Sequence, residues 1–149
     1  MISFLRYGLP LLLWMMVIFS ASSDPQSVAH TSRFLEPFLR WLKSDISAES
    51  INAVRWCVRK AAHMTEFAVL AWLLWRAFRR PVRHDARPWS ARVAWLSLGL
   101  AALYAVTDEV HQSFVPNRTG SLLDVGIDTV GAALGLMAVW VVFRRWRRT

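Results

Sequence analysis

The sequence predicts an all-α fold: a four-transmembrane-helix bundle with an interfacial amphipathic helix between the first two spans. Three observations predict it. Hydrophobic residues make up 55% of the 149-residue chain, above the roughly 45–50% usual for a soluble domain. Four apolar segments reach or approach the roughly 20 residues that a helix needs to cross the hydrocarbon core. Basic residues concentrate beside those segments, as they do at the flanks of membrane spans. Six Gly, six Pro and a single Cys exclude a disordered chain, a collagen-like chain and a disulfide scaffold. The formal charge of +8 alone would suit nucleic acid, but the apolar content assigns it to membrane flanks, and no nucleic-acid module is present.

The first span is placed at residues 4–21, where Phe4 and Leu5 must extend a short apolar run past Arg6. A basic residue, an apolar stretch and small residues at Ser20 and Ser22 also fit a cleaved secretory signal. Either reading sends the following loop outward. Residues 32–43 read as the interfacial helix, with Phe34, Leu35, Phe38, Leu39, Trp41 and Leu42 as its apolar part. Pro37 fits only near the first turn of such a helix. Ile51, Val54 and Val58 recur at helical spacing and lead into the second span, residues 61–78, which His63 and Glu66 interrupt. The third span, residues 92–112, requires Arg92 to snorkel at one end and Asp108 to sit near the other interface. The fourth span, residues 122–143, carries Asp124 and Asp128 near its start. Residues 1–149 read as one integral membrane domain without an internal repeat.

Charge sets the orientation. Arg79, Arg80, Arg83, Arg87 and Arg92 lie between the second and third spans against one acid, Asp85. Arg144, Arg145, Arg147 and Arg148 close the chain, whereas the loop between the third and fourth spans holds only Arg118. The positive-inside rule then puts both termini in the cytoplasm. Arg55, Arg59 and Lys60 disagree, because they precede the second span on the outer side. That conflict suggests they have another task.

Alternating spans bring the polar residues to one membrane face. Lys60, His63 and Glu66 lie in the outer turns of the second span, Tyr104, Asp108, Glu109, His111 and Gln112 in those of the third, and Asp124 and Asp128 in those of the fourth. At about 100° per residue, Asp124, Asp128, Gly131 and Gly135 share one stripe. Gly131 and Gly135 form a GxxxG, which lets another helix approach closely. Ionisable residues within spans are expensive and face the bundle interior. The expectation is a polar pocket open to the outer surface.

The motifs Lys60-Ala-Ala-His63-Met-Thr-Glu66-Phe67, Asp108-Glu109-Val-His-Gln112, Pro116-Asn-Arg118 and Asp124-Val-Gly-Ile-Asp128-Thr-Val-Gly131 follow one another in the last two-thirds of the chain. In that order they resemble the VanZ-like family of bacterial membrane proteins. The family often carries tyrosine where this chain has Phe67. The resemblance implies a multi-pass protein of the cell envelope, in the bacterial cytoplasmic (inner) membrane, related to one linked to teicoplanin resistance. It supplies no biochemical mechanism.

Five carboxylates (Glu66, Asp108, Glu109, Asp124, Asp128) meet two cations (Lys60, Arg118), leaving the cluster three units negative if all ionise. Raised carboxylate pKa values, charged His63 or His111, Arg55 and Arg59, or a bound divalent cation would offset this. Each residue has a structural reading beside a functional one. Ser121-Leu-Leu-Asp124 resembles a capping box, whereas Asp128 lies a turn deeper and is assigned to the pocket. His63 and Glu66 form an i, i+3 pair suited to a buried structural contact, acid–base work or metal ligation. Asp108 is expected to face the pocket with Tyr104 and Gln112, and Glu109 to pair with Lys60 or Arg118. His111 reads as an interface residue, and His30 and His84 as solvated loop residues. Arg118 would hold a carboxylate from the third span or clamp a phosphate. Trp14, Trp72, Trp75, Trp89, Trp95, Trp140 and Trp146 read as membrane anchors, and the C-terminal arginines as topogenic charges near anionic lipid.

Three functions are consistent with these residues. The first is a pocket that binds a lipid headgroup or a lipid-bearing glycopeptide, using Lys60, His63, Glu66, Asp108, Glu109, Gln112, Arg118, Asp124 and Asp128. The second is an intramembrane enzyme acting on a lipid-linked envelope intermediate, with His63, Glu66, Asp108 and Asp128 as candidate catalytic groups and His63, Asp108 and Asp128 as candidate metal ligands. The third is a salt-bridge network without a ligand. No P-loop, Rossmann, HExxH, CxxC or nucleophile-elbow motif is present.

Overall fold

Proline at position 10 shapes the first helix. It has no N–H, so the carbonyl of Arg6 receives no helical bond from it, and the backbone there is a wider π-helical turn over Phe4–Gly8. This turn runs into α1 (Leu9–Ser22). The computed structural model describes residues 4–24, 27–79, 89–116 and 118–146. Four further helices complete it: α2 (Ser27–Leu42), α3 (Ala48–Phe78), α4 (Ala91–Gln112) and α5 (Leu122–Trp146). Arg80, Arg83, His84, Asp85, Arg87, Arg147 and Arg148 lie outside the described residues, as does the side chain of Trp146.

The helix α2 begins five residues before the expected start at 32, and Pro37 lies well inside it rather than in its first turn. The surrounding helix accommodates the missing amide bond. His30, expected in a loop, sits in the opening turns of this helix, exposed and 3.0 Å from Asp24.

Ser47 starts α3: its backbone is extended and its hydroxyl accepts from the Ser50 N–H at 3.2 Å. The helix has 31 residues, about 46 Å at 1.5 Å per residue. Among the described residues, three helical stretches are long and apolar enough to cross a membrane: Phe4–Ser22, Ala91–Gln112 and Leu122–Arg145. The expected second span, on α3, does not meet that standard. His63, Glu66 and Arg76 interrupt its apolar stretch, and two of them face other helices. His63 faces Asp128, and Arg76 lies 5.2 Å from the Tyr7 ring centre.

Paired residues define the packing. Lys60 meets Asp124, His63 meets Asp128, Met64 meets Gly131 and Ala68 meets Gly135, so α3 and α5 run parallel. A Cβ on Gly131 would lie 2.4 Å from the Met64 carbonyl oxygen, and one on Gly135 2.5 Å from that of Ala68. The two backbones touch here, as the GxxxG spacing predicts. Trp14 donates to the Glu66 carbonyl at 2.9 Å and Tyr104 to the Met15 carbonyl at 2.8 Å. With Arg76 over Tyr7 and Ser22 on Asp108, these contacts make α1 antiparallel to α3 and parallel to α4. The core lies between these helices and includes Ile18, Phe67, Leu70, Ala71, Ala101, Ala105, Ala132 and Leu136. Small residues on α4 and α5 let the polar side chains at one end of the bundle come within bonding distance.

Candidate functional site: a polar cluster at one end of the bundle

The C-terminal turns of α4 bring three polar residues inside. Asp108, Glu109 and Gln112 are all buried. Asp108 Oδ2 accepts from Ser22 Oγ and from Gln112 Nε2, each at 2.8 Å. Gln112 Nε2 also lies 3.4 Å from Glu109 Oε1. Arg118, in the loop after α4, donates to Gln112 Oε1 at 3.0 Å and to the Ala21 carbonyl at 3.2 Å. Gln112 thus links the loop guanidinium to the buried Asp108 carboxylate. Burial lowers the Arg118 pKa from its ordinary value, yet a guanidinium remains charged at neutral pH.

The capping box takes a different form from the one its sequence suggests. Ser121 Oγ accepts from the Leu123 N–H at 3.2 Å, as a capping residue should. The reciprocal bond comes from another helix: Glu109 Oε2 accepts from the Ser121 N–H at 2.8 Å. Asp124 is therefore free of the cap and pairs with Lys60, half-buried between α3 and α5. Glu109, expected to pair with Lys60 or Arg118, closes the start of α5 instead. Gly120 permits this approach, since a Cβ there would lie 2.4 Å from the Glu109 carbonyl oxygen.

One turn deeper, Asp128 is 1% exposed. Its Oδ1 lies 3.8 Å from His63 Nδ1, beyond a hydrogen bond. Both Asp128 carboxylate oxygens and His63 Nδ1 are buried without a hydrogen-bond partner among the described residues. A buried polar group left unpaired typically costs about 1–3 kcal/mol, and a charged one more. Asp108, Glu109, Gln112, Arg118, Lys60 and Asp124 are all bonded, and this pair stands out beside them.

These polar motifs sit within a longer match. The VanZ/LLP1 family profile matches residues 7–144. The chain belongs to the VanZ/LLP1 family. No match was found among curated proteins or among solved structures. The match covers all four motifs and also α1, whose bonds to Glu66, Tyr104 and Asp108 tie it to them.

The remaining site residues of this VanZ/LLP1 protein fall around that pair. Phe67, at the position the family often gives to tyrosine, is fully buried, its ring centre 6.3 Å from that of Tyr104. The Glu66 side chain is half-buried beside the cluster and makes no side-chain bond to the described residues. His111 turns towards α1, stacked on Phe19 at 4.3 Å with Nε2 3.0 Å from Ser23 Oγ. Among the described residues, no group of three His, Cys, Asp or Glu is placed to hold a metal ion. Of the candidate ligands His63, Asp108 and Asp128, Asp108 is committed to Ser22 and Gln112.

Sequence reasoning missed Ser22, which it considered only as part of a cleavage site. The useful signal was its position: a small hydroxyl at the end of α1 that alternation brings level with Asp108. It also misassigned Trp75, which is a buried core residue packed on Trp89 and Phe143 rather than an anchor.

Proposed function

We propose that this protein crosses the bacterial cytoplasmic membrane four times, with both termini inside, and binds a lipid headgroup or the polar part of a lipid-bearing glycopeptide in an outward-facing polar chamber. The parallel course of α1 and α4 supports four passes. If both cross the membrane in the same direction, the chain between them must cross back, and α3 is the antiparallel helix that does so. α2, with Phe34, Phe38, Trp41 and Leu42 exposed, is the interfacial helix in this reading.

The unpartnered Asp128–His63 pair carries the proposal. An ammonium group donating to both Asp128 oxygens and to His63 would satisfy all three orphaned atoms, and a hydroxyl donating to Asp128 and accepting from His63 would satisfy two. Lys60 and Arg118 supply positive charge for an anionic part of the same ligand. A divalent cation bound here would take His63 and Asp128 and complete its shell from oxygens of the ligand and water. Binding of this kind to an envelope lipid or lipoglycopeptide is how the protein would contribute to teicoplanin-type resistance.

Two other readings each have an observation behind them. An imidazole facing a buried carboxylate is a common acid–base unit, which favours an enzyme acting on a lipid-linked substrate. The mutual bonds of Asp108, Glu109, Gln112 and Arg118 favour a structural lock for that half of the cluster.

Native mass spectrometry of the detergent-purified protein beside Asp128→Asn separates the three. Binding predicts an adduct on the wild type that a folded Asp128→Asn variant lacks. Metal-dependent turnover that is lost in His63→Ala would replace binding with catalysis. Identical bare spectra from both proteins would leave only the structural lock.

A further inference from the structure

The opposite end of the bundle holds a second, apolar feature. The first turns of α4 and the last turns of α5 enclose a groove of ≈ 350 Å³. Trp89, Trp95 and Trp140 wall it, and the small side chains of Ala94 and Ala133 keep it open. Trp140 also lines a second cavity of ≈ 280 Å³, together with Val141, Arg144 and Arg145. The Arg144 guanidinium lies over the Trp140 ring at 5.1 Å.

We infer that these two cavities, which share Trp140 as a wall, bind one anionic phospholipid, with an acyl chain in the tryptophan-walled groove and the phosphate on Arg144 and Arg145. The order of chemistry along the site is that of such a lipid: an apolar channel, then an aromatic ring at its mouth, then two cations. The groove opens away from the core, since Trp95 is 72% exposed and Met137 52%. Its volume lies within the roughly 300–1,000 Å³ of typical ligand sites. Tryptophan rings suit the level where chain meets headgroup, and arginine matches phosphate oxygens with paired donors.

A zwitterionic lipid would fill the groove and bring a phosphate too, but its headgroup cation would offset that charge beside the two guanidiniums. A second copy of this chain is the rival occupant. Residues 91–107 and 129–146 contain no acidic residue, so a two-fold contact through this face would bring arginines together without compensation. Charge therefore favours the lipid.

The test is a lipid titration of the detergent-purified full chain followed by native mass spectrometry, using phosphatidylglycerol and phosphatidylcholine with identical acyl chains. The wild type is expected to retain one phosphatidylglycerol at least about ten-fold more tightly than phosphatidylcholine. Arg144→Gln with Arg145→Gln is expected to weaken phosphatidylglycerol binding about thirty-fold and phosphatidylcholine, whose cation offsets its phosphate, only about three-fold, so that the preference is lost. Ala133→Phe keeps every charge, fills the exposed groove and is expected to release both lipids. Asp128→Asn is expected to keep the wild-type preference, which separates this site from the polar chamber. Equal affinity of the wild type for the two lipids, or an undiminished preference in the double arginine variant, overturns the inference. A dimer that Ala133→Phe dissociates without changing lipid retention also overturns it, and assigns the groove to a second copy.

Discussion

Asp108 and Asp128 are one helical level apart in depth and opposite in circumstance. Asp108 receives two short bonds, from Ser22 and Gln112, whereas Asp128 has no partner among the described residues. Substitution should separate them. Asp108→Ala orphans the Ser22 hydroxyl and one Gln112 donor, and should destabilise the protein by about 2–3 kcal/mol, read as a lower midpoint of thermal unfolding in detergent. Asp128→Asn replaces a buried carboxyl that has no hydrogen-bond partner among the described residues, so its midpoint should hold or rise while any ligand seated there is lost. A fall as large as that of Asp108→Ala would show that Asp128 is already satisfied within the fold. At this scale the sequence was legible in types and levels but not in partners. The spacing places Asp124, Asp128 and the α4 acids at one end. It does not reveal that Glu109, not Asp124, takes the Ser121 amide, because that bond joins two helices and the capping pattern is local.

Helix α5 carries the most readable element signal. Gly131 and Gly135 lie against the α3 backbone, and the GxxxG spacing announces such a contact without naming its partner. Gly131→Ala places a Cβ 2.4 Å from a backbone oxygen, so the helices must separate, with a cost of about 1–3 kcal/mol. Gly126 is the internal control on the same helix. Nothing lies within 4 Å of a Cβ built there, and Gly126→Ala should be neutral or stabilise by up to about 1 kcal/mol through helix propensity. Comparing the unfolding midpoints of the two variants checks the close approach, and equal shifts would refute it. α2 was the least readable element. Pro37 argued for a late start, yet the helix continues through it from Ser27. A proline is a penalty on a helix, not a prohibition, and neighbouring turns outweigh it here.

Across the whole molecule, charge is sorted by end. Arg76, Arg79, Arg92, Arg144 and Arg145 lie at the end opposite the polar cluster, as the positive-inside reading requires of a cytoplasmic face. Two of the three basic residues that opposed this reading have partners. Lys60 pairs with Asp124, and Arg55 donates to Asn52 at 2.9 Å and lies 3.9 Å from Glu36. Charges compensated within the protein weigh less in setting topology. Cys57 is exposed near the polar end and is the chain's single cysteine, which makes it a natural topology probe. A membrane-impermeant maleimide should label it in intact spheroplasts. Labelling only after permeabilisation would invert the orientation and turn the polar cluster inward. The antiparallel order of α1 and α3 and the parallel course of α1 and α4 agree with the alternation read from apolar segments, although α3 does not meet the apolarity of a span by itself. His63 and Arg76 lower its hydropathy while making contacts inside the bundle, and Glu66 lowers it from a half-buried position beside the polar cluster.

The central claim concerns the gap between His63 Nδ1 and Asp128 Oδ1, 3.8 Å wide and without a protein donor. A high-resolution structure of the protein purified with its native lipids tests it directly. Ordered non-protein density bonded to Asp128 and to His63 is the predicted result. Contraction of the pair to a direct hydrogen bond of about 2.8 Å, with nothing else bonded to Asp128, would contradict a ligand seat and make the whole cluster a structural network.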